Sequence, residues 1–142
     1  MTSINESKGK VIAVNGNLIS VEFQGNISMN EICHVKVGNT SLKSEIIRIR
    51  GNVAQIQVYE MTNGVKCGDE VEFTGEMLSA ELGPGLLGQV YDGLQNPLPL
   101  LAEKAGWFLE RGVYADSLNY EKKWEFTPTA KPGDIVRAGE YV

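Results

Sequence analysis

Residues 83–88 read Gly-Pro-Gly-Leu-Leu-Gly, the G-x-G-x-x-G spacing that lets a backbone approach a dinucleotide pyrophosphate. That chemistry also needs a buried strand before the glycines and a helix after them, whose free N–H groups face the phosphates. Glu-Met-Leu-Ser-Ala-Glu-Leu precedes Gly83, with little β-branching, and Pro84 stands inside the loop. Gly93 and Pro97 follow too closely for a long helix. The glycines are therefore expected to let a connecting segment turn and pack closely, with no cofactor.

The other chemistry-bearing residues are few. A phosphate loop of the form G-x-x-x-x-G-K-[ST] is absent, since Gly9-Lys10 is followed by Val11. With one histidine, any nucleophilic triad depends on His34, which falls inside a predicted strand and is expected to be half-buried or at the surface. Cys33, His34 and Cys67 lack the paired spacing of a zinc site. Glu70/Glu72 and Glu103/Glu110 are carboxylate pairs that nothing in the sequence fixes on one cleft, so solvated faces are expected. Trp107, Phe108, Tyr114, Tyr120, Trp124 and Phe126 could stack on single-stranded nucleic acid. Thirteen basic against eighteen acidic residues, a net charge of −5, disfavour that partner, and the aromatics are expected to form a small core. No catalytic, cofactor-binding or metal-ligating residue is assigned from these patterns.

The elements that would position such groups are mostly β. Residues 10–14, 18–23, 32–37, 42–50, 53–59 and 71–74 form six short apolar or alternating runs. Asn15-Gly16-Asn17 and Gly51-Asn52 separate runs as tight turns. Ile19, Val21 and Phe23 alternate with Ser20 and Glu22, as Ala54, Ile56 and Val58 do with Gln55 and Gln57. Six strands in so short a stretch predict a small closed β-barrel, which removes exposed edges. Residues 98–105 can form a short helix, with Pro99 in its first turn and Gly106 as its stop. Trp124-Glu-Phe126 alternates as a core-facing strand does. Lys66-Cys-Gly-Asp-Glu-Val71 and Lys131-Pro-Gly-Asp-Ile-Val136 share K-x-G-D-x-V and predict two turns, each entering a strand. The second stops almost at once, with Tyr141-Val142 ending the sequence as a new strand starts, so a truncated domain is expected there.

Length and composition fit one domain or two small ones, with 42% hydrophobic and 22% charged residues. No apolar run reaches membrane-spanning length and the N-terminus has no signal-like apolar core. Two cysteines make no disulfide framework. A soluble, cytoplasmic chain is expected. A biotinyl- or lipoyl-type carrier, hinted at by residues 131–139, lacks a modifiable lysine, because none follows Lys131.

Specific strings carry a family resemblance. Gly9-Lys-Val-Ile-Ala-Val14, Glu45-Ile-Ile-Arg-Ile-Arg-Gly51, Ala54-Gln-Ile-Gln-Val-Tyr-Glu60 and Thr62-Asn-Gly-Val65 come first, then Gly68-Asp69. Ser79-Ala-Glu-Leu-Gly-Pro-Gly85, Tyr91-Asp-Gly-Leu-Gln-Asn-Pro-Leu98, Arg111-Gly-Val113 and Lys122-Lys-Trp-Glu-Phe-Thr-Pro128 follow in the same order. The chain resembles the N-terminal part of the catalytic A subunit of V-type rotary ATPases. The resemblance implies a mainly β chain in three parts: a crown β-barrel over residues 1–75, a crossover toward the nucleotide-binding domain over 76–106, and the beginning of an inserted β-rich bulge over 107–142. It also implies that the E-L-G-P-G stretch is a connection, which makes the G-x-G-x-x-G match incidental. The family's phosphate loop, catalytic glutamate and adenine-pocket aromatics lie beyond Val142, so catalytic, cofactor and metal sites are expected to be none. The parent would use Mg-ATP, with B subunits, other A subunits, stator and central-stalk subunits as partners. It would sit on the cytoplasmic membrane face, without nucleic-acid partners or direct membrane insertion. An autonomous barrel that binds another protein is the alternative.

Overall fold

A computed structural model describes residues 7–106 and 108–142 of the chain. Six strands form in the order β1 (Lys8–Asn15), β2 (Leu18–Gln24), β3 (Glu31–Val37), β4 (Thr40–Arg50), β5 (Val53–Val58) and β6 (Glu70–Met77). They close into an antiparallel barrel in the spatial order β1-β2-β5-β4-β3-β6. The predicted barrel is therefore present, and each strand contains most or all of its predicted run.

Turn chemistry sets the register. Asn15 pairs with Leu18, so the first hairpin loop is Gly16-Asn17 rather than Asn15-Gly16. Gly38-Asn39 and Gly51-Asn52 repeat that two-residue loop between β3 and β4 and between β4 and β5. In each the glycine alone has positive φ, the pattern of a type II′ turn, whose twist matches that of the flanking strands. An added Cβ would meet nothing at these three sites, so backbone conformation is what selects glycine.

Alternation then fills the interior. Ile19 and Val21 of β2, Leu42 and Ile46 of β4, and Ala54 and Ile56 of β5 are fully buried. Burying one such aliphatic side chain contributes roughly 1.5–3 kcal/mol. Extra residues at Ile12 in β1 and Ile47 in β4 shift the register, and β6 carries an irregularity opposite β3. Such bulges bend strands sharply enough to close a small barrel. Beyond the first bulge β1 loses its alternation, leaving Ile12 and Val14 exposed.

β1 and β6 pair over only three residues, Lys8–Lys10 with Glu72–Glu70. Beyond them, Val11 N–H donates to Asp69 O and Gly68 N–H to Val11 O, both across 2.8–2.9 Å. The Phe23 and Phe73 rings meet edge to face at 6.2 Å across this seam.

The helix α1 (Leu98–Ala105) has the predicted limits, with proline in its first turn. It ends where Gly106 N–H donates to Ala102 O at 2.9 Å, and Lys104 lies in the negative last turn. Its buried side chain is Leu101.

Residues 108–142 depart from the expected pattern. None of them is in a strand, and Phe108, Tyr120, Trp124 and Phe126 are exposed. Trp107 lies outside the described residues. The expected aromatic core is thus not formed by these four, and Trp124-Glu-Phe126 is not a strand. A strand must satisfy its backbone groups against a neighbour, and β6 has β1 and β3 where residues 122–128 have no paired segment. The K-x-G-D-x-V echo splits in the same way. Both copies fold the same turn, with Lys66 N–H donating to Asp69 Oδ2 at 2.9 Å and Lys131 N–H to Asp134 Oδ2 at 2.8 Å. Only the first turn leads into a strand, while Ile135 and Val136 stay exposed.

Candidate functional site

The segments that follow the barrel are tied to it by polar contacts. Glu60, two residues past β5, accepts a hydrogen bond from Gly112 N–H at 2.6 Å and another from the Tyr114 hydroxyl. The Tyr114 oxygen in turn accepts from Lys43 N–H of β4 at 3.0 Å. Burial and the neighbouring Glu60 carboxylate both push the Tyr114 phenol above its ordinary pKa, so it stays a donor. Arg111 extends to the carbonyls of Met61 and Asn63.

A second carboxylate works further along. Glu81 accepts from the hydroxyls of Ser117 and Tyr120, which hold its pKa below the usual carboxylate value. Gln95 fixes the Glu81 backbone from both sides: its amide oxygen accepts from Glu81 N–H and its amide nitrogen donates to Glu81 O, each at 2.7 Å. Nearby, Asp92 accepts from Leu94 N–H, Asn96 N–H and the Asn96 amide at 2.8–2.9 Å, closing the Tyr91–Leu98 loop on itself. The buried Asn96 then accepts from Ala115 N–H at 3.2 Å.

Between these contacts and the barrel wall lies a cleft of about 450 Å³, lined in part by His34, Lys43, Thr74, Glu81, Tyr114 and Ser117. His34 is half-buried, as expected, and is matched across the sheet with Lys43 of β4 and Glu72 of β6. Burial lowers its pKa first, then Lys36 and Lys43, against an opposing pull from Glu72. It is therefore a neutral imidazole at pH 7.

The remaining chemistry-bearing residues do not converge. Cys33 is buried in the barrel interior, and burial followed by Glu31 and Glu45 pushes its thiol up to about 12. Cys67 is exposed on the seam turn, where its thiol donates to Ile12 O at 3.2 Å. Glu72 pairs with Lys36 at 2.8 Å on the outer barrel wall. Glu103 and Glu110 are exposed, in line with their expected solvated faces. Among the described residues no group of three or more His, Cys, Asp or Glu side chains gathers to hold a metal ion.

The G-x-G-x-x-G stretch has neither a strand before it nor a helix after it. Gly85 has φ +99°, and a Cβ there would meet Trp124 at 3.1 Å. A Cβ on Gly83 would meet Leu118 Cδ1 at 2.9 Å. Turning and close packing are thus what these two glycines provide, as expected from sequence. Glu60 and Glu81 are not singled out in the sequence, and Tyr114 stands there only among the aromatics expected to form a small core. Glu60 ends a strand string and Glu81 opens the E-L-G-P-G stretch, but nothing local marks their partners.

A closed six-stranded barrel followed by segments tied to its wall defines the class, and residues 11–75 match the family described as the ATP synthase alpha/beta family, beta-barrel domain. Over its barrel the chain is similar to that family. More particularly, it corresponds to the N-terminal region of V-type ATP synthase alpha chains. The alpha chain of Treponema denticola is 61% identical over 137 residues, 96% of this chain and 23% of the relative. The alpha chain of Borreliella burgdorferi is 59% identical over 136 residues, again 96% of this chain and 24% of the relative. The chain thus spans about a quarter of the length of the curated relatives it matches. Among the described residues no helix is long and apolar enough to cross a membrane.

Proposed function

We propose that the chain is the N-terminal part of the catalytic A subunit of a V-type rotary ATPase or ATP synthase, and that its barrel serves assembly. The observation that carries this reading is identity of about 60% to V-type alpha chains over 96% of the chain, barrel and trailing segments alike. The proposed divisions are a crown barrel at 1–75, a crossover at 76–106 and the beginning of an inserted bulge at 107–142. The parent couples hydrolysis or synthesis of Mg-ATP to proton or sodium transport. It works in a head of alternating A and B subunits, peripheral on the cytoplasmic membrane face, with stator and central-stalk subunits. This stretch supplies none of the catalytic, nucleotide or metal-binding groups.

Physical reasons favour a barrel in that role. Nucleotide domains must open and close while one end of their ring stays fixed, and a closed barrel has no soft edge to deform. The outer wall of β1, β2 and β5 suits a neighbour of the same kind. Ser20 pairs with Gln55 and Leu18 with Gln57 there, a polar and uncharged stretch, while Lys8, Lys10 and Glu22 carry charge at the other end of the wall. Exposed Ile12 and Val14 of β1 flank the uncharged stretch. That stretch can be buried without desolvating charges, with Lys8, Lys10 and Glu22 left at the rim.

Fractionated cells of the source organism, blotted with antibody raised to this chain, test the assignment. The expected result is a band several times heavier than 15.5 kDa, released from membranes together with other subunits. A soluble band at 15.5 kDa would instead mean a free-standing barrel that binds some other protein. Titration of the chain with Mg-ATP at physiological salt is expected to give no saturable signal. Clear binding would overturn the proposed absence of a nucleotide site.

A further inference from the structure

We propose that Glu60 and Glu81 form a two-point clamp that straps residues 111–120 to the barrel, so that this segment moves with the barrel as one body. The inference concerns the chain itself and does not rest on the rotary reading. Residues 111–120 contain no strand or helix, so no ladder of backbone hydrogen bonds holds them in place. Their side chains add little apolar burial, since Tyr120 is exposed and none of the ten is fully buried. What remains is a short set of directed polar contacts.

Both carboxylates are acceptor-only groups facing two donors each, which sets position as well as attraction. Glu60 takes the backbone of residue 112 and the side chain of residue 114. Glu81 takes the side chains of residues 117 and 120. The two grips lie one after the other along the strap. Each carboxylate is itself anchored: Glu60 lies two residues past β5, and Glu81, four residues past β6, is gripped by Gln95 of the following loop.

Gly112 permits the first grip. It has φ +74°, and a Cβ there would stand 2.4 Å from Thr40 Cγ2 at the entry to β4. No other residue brings its N–H so close to the barrel without displacing Thr40. Between the grips, Tyr91 donates its hydroxyl to Ser117 O and Lys104 its ammonium to Tyr114 O, each at 3.1 Å. The loop before α1 and the helix itself are thereby joined to the same strap.

Amide hydrogen exchange on the whole 142-residue chain tests the clamp, comparing wild type with Glu60→Ala, Glu81→Ala, the double variant, and Glu103→Ala as a control for charge loss. The expected result is exchange at Gly112 and Ala115 at least tenfold faster in Glu60→Ala and faster again in the double variant. Amides of Val21 and Ile56 should exchange at the wild-type rate throughout, and Glu103→Ala should change nothing. Tyr114→Phe keeps the ring and removes one donor, so an intermediate acceleration is expected there even if Glu60→Ala fails to fold. Residues 111–120 exchanging at the same rate in wild type, the double variant and Tyr114→Phe would overturn the clamp. So would unprotected exchange of this segment in the wild-type chain.

Discussion

Gly9 of β1 lies directly against Val21 of β2: a Cβ built on Gly9 would stand 2.6 Å from Val21 Cγ1. The same Cβ would approach Phe73 Cε2 of β6 at 3.1 Å, so glycine lets Phe73 reach over β1 to Phe23. This is where the barrel closes, across its shortest strand pairing. Gly9→Ala is therefore expected to overpack the seam and cost about 1–3 kcal/mol. Urea denaturation followed by tryptophan-independent circular dichroism checks the loss. Adding Val21→Ala should recover part of it, because the two sites share one space. Strictly additive losses would show that the seam relaxes elsewhere.

Glu31 is a buried carboxylate with two backbone partners. It accepts from Ser28 N–H and from Gly75 N–H, each at 2.8 Å, and so ties the loop before β3 to the irregular stretch of β6. Removing it leaves two donors without their acceptor, and hydrogen bonds to charged groups contribute roughly 1.5–3 kcal/mol. Glu31→Ala is expected to lower stability by about 3 kcal/mol, measured as a shift of the denaturation midpoint. Glu31→Gln keeps one acceptor oxygen and should lose less.

The two cysteines should separate cleanly by reactivity. Cys33 is enclosed and its thiol is pushed up to about 12, whereas Cys67 is exposed. A thiolate-selective disulfide reagent at pH 8 is expected to modify one thiol quickly and the second only after denaturant is added. Rapid reaction of both in the native chain would mean that the barrel opens on the timescale of labelling.

His34 makes stability depend on pH in a defined direction. Its pKa in the folded chain lies below the ordinary histidine value of 6.5, through burial and then Lys36 and Lys43, with Glu72 opposing. Glu76, Glu81 and Asp116 also line its cleft. The unfolded chain therefore binds the proton more readily than the folded one. The stability that neutral His34 contributes is present above about pH 6.5 and is lost as pH falls through the lower folded pKa. Denaturation midpoints at pH 7.5 and 5.5 should differ less for His34→Gln than for wild type. An identical difference in both would assign the pH dependence to carboxylates alone.

The barrel was legible in the sequence because its causes are local. Alternation of Ala54, Ile56 and Val58 with Gln55 and Gln57 states which face is buried, and Gly-Asn pairs state where strands reverse. The helix was legible for the same reason, since Pro99 and Gly106 mark its two ends. Local pattern also misled. Trp124-Glu-Phe126 and Lys131 to Val136 carry strand-like spacing, yet spacing alone supplies no partner edge. The first K-x-G-D-x-V turn leads into a strand because β1 and β3 stand on either side of it.

By itself, then, the amino-acid sequence determined the strands, their turns, the buried faces and the family strings, all of which depend on neighbours a few residues apart. Tertiary structure alone decided that β1 meets β6, that Gly9 lies under Val21, and that Glu60 holds Tyr114 across 54 positions of chain. A single glutamate or tyrosine has no period to betray its partner. Which distant donor it meets is settled only when the closed barrel has fixed where each strand ends and where the following chain must cross.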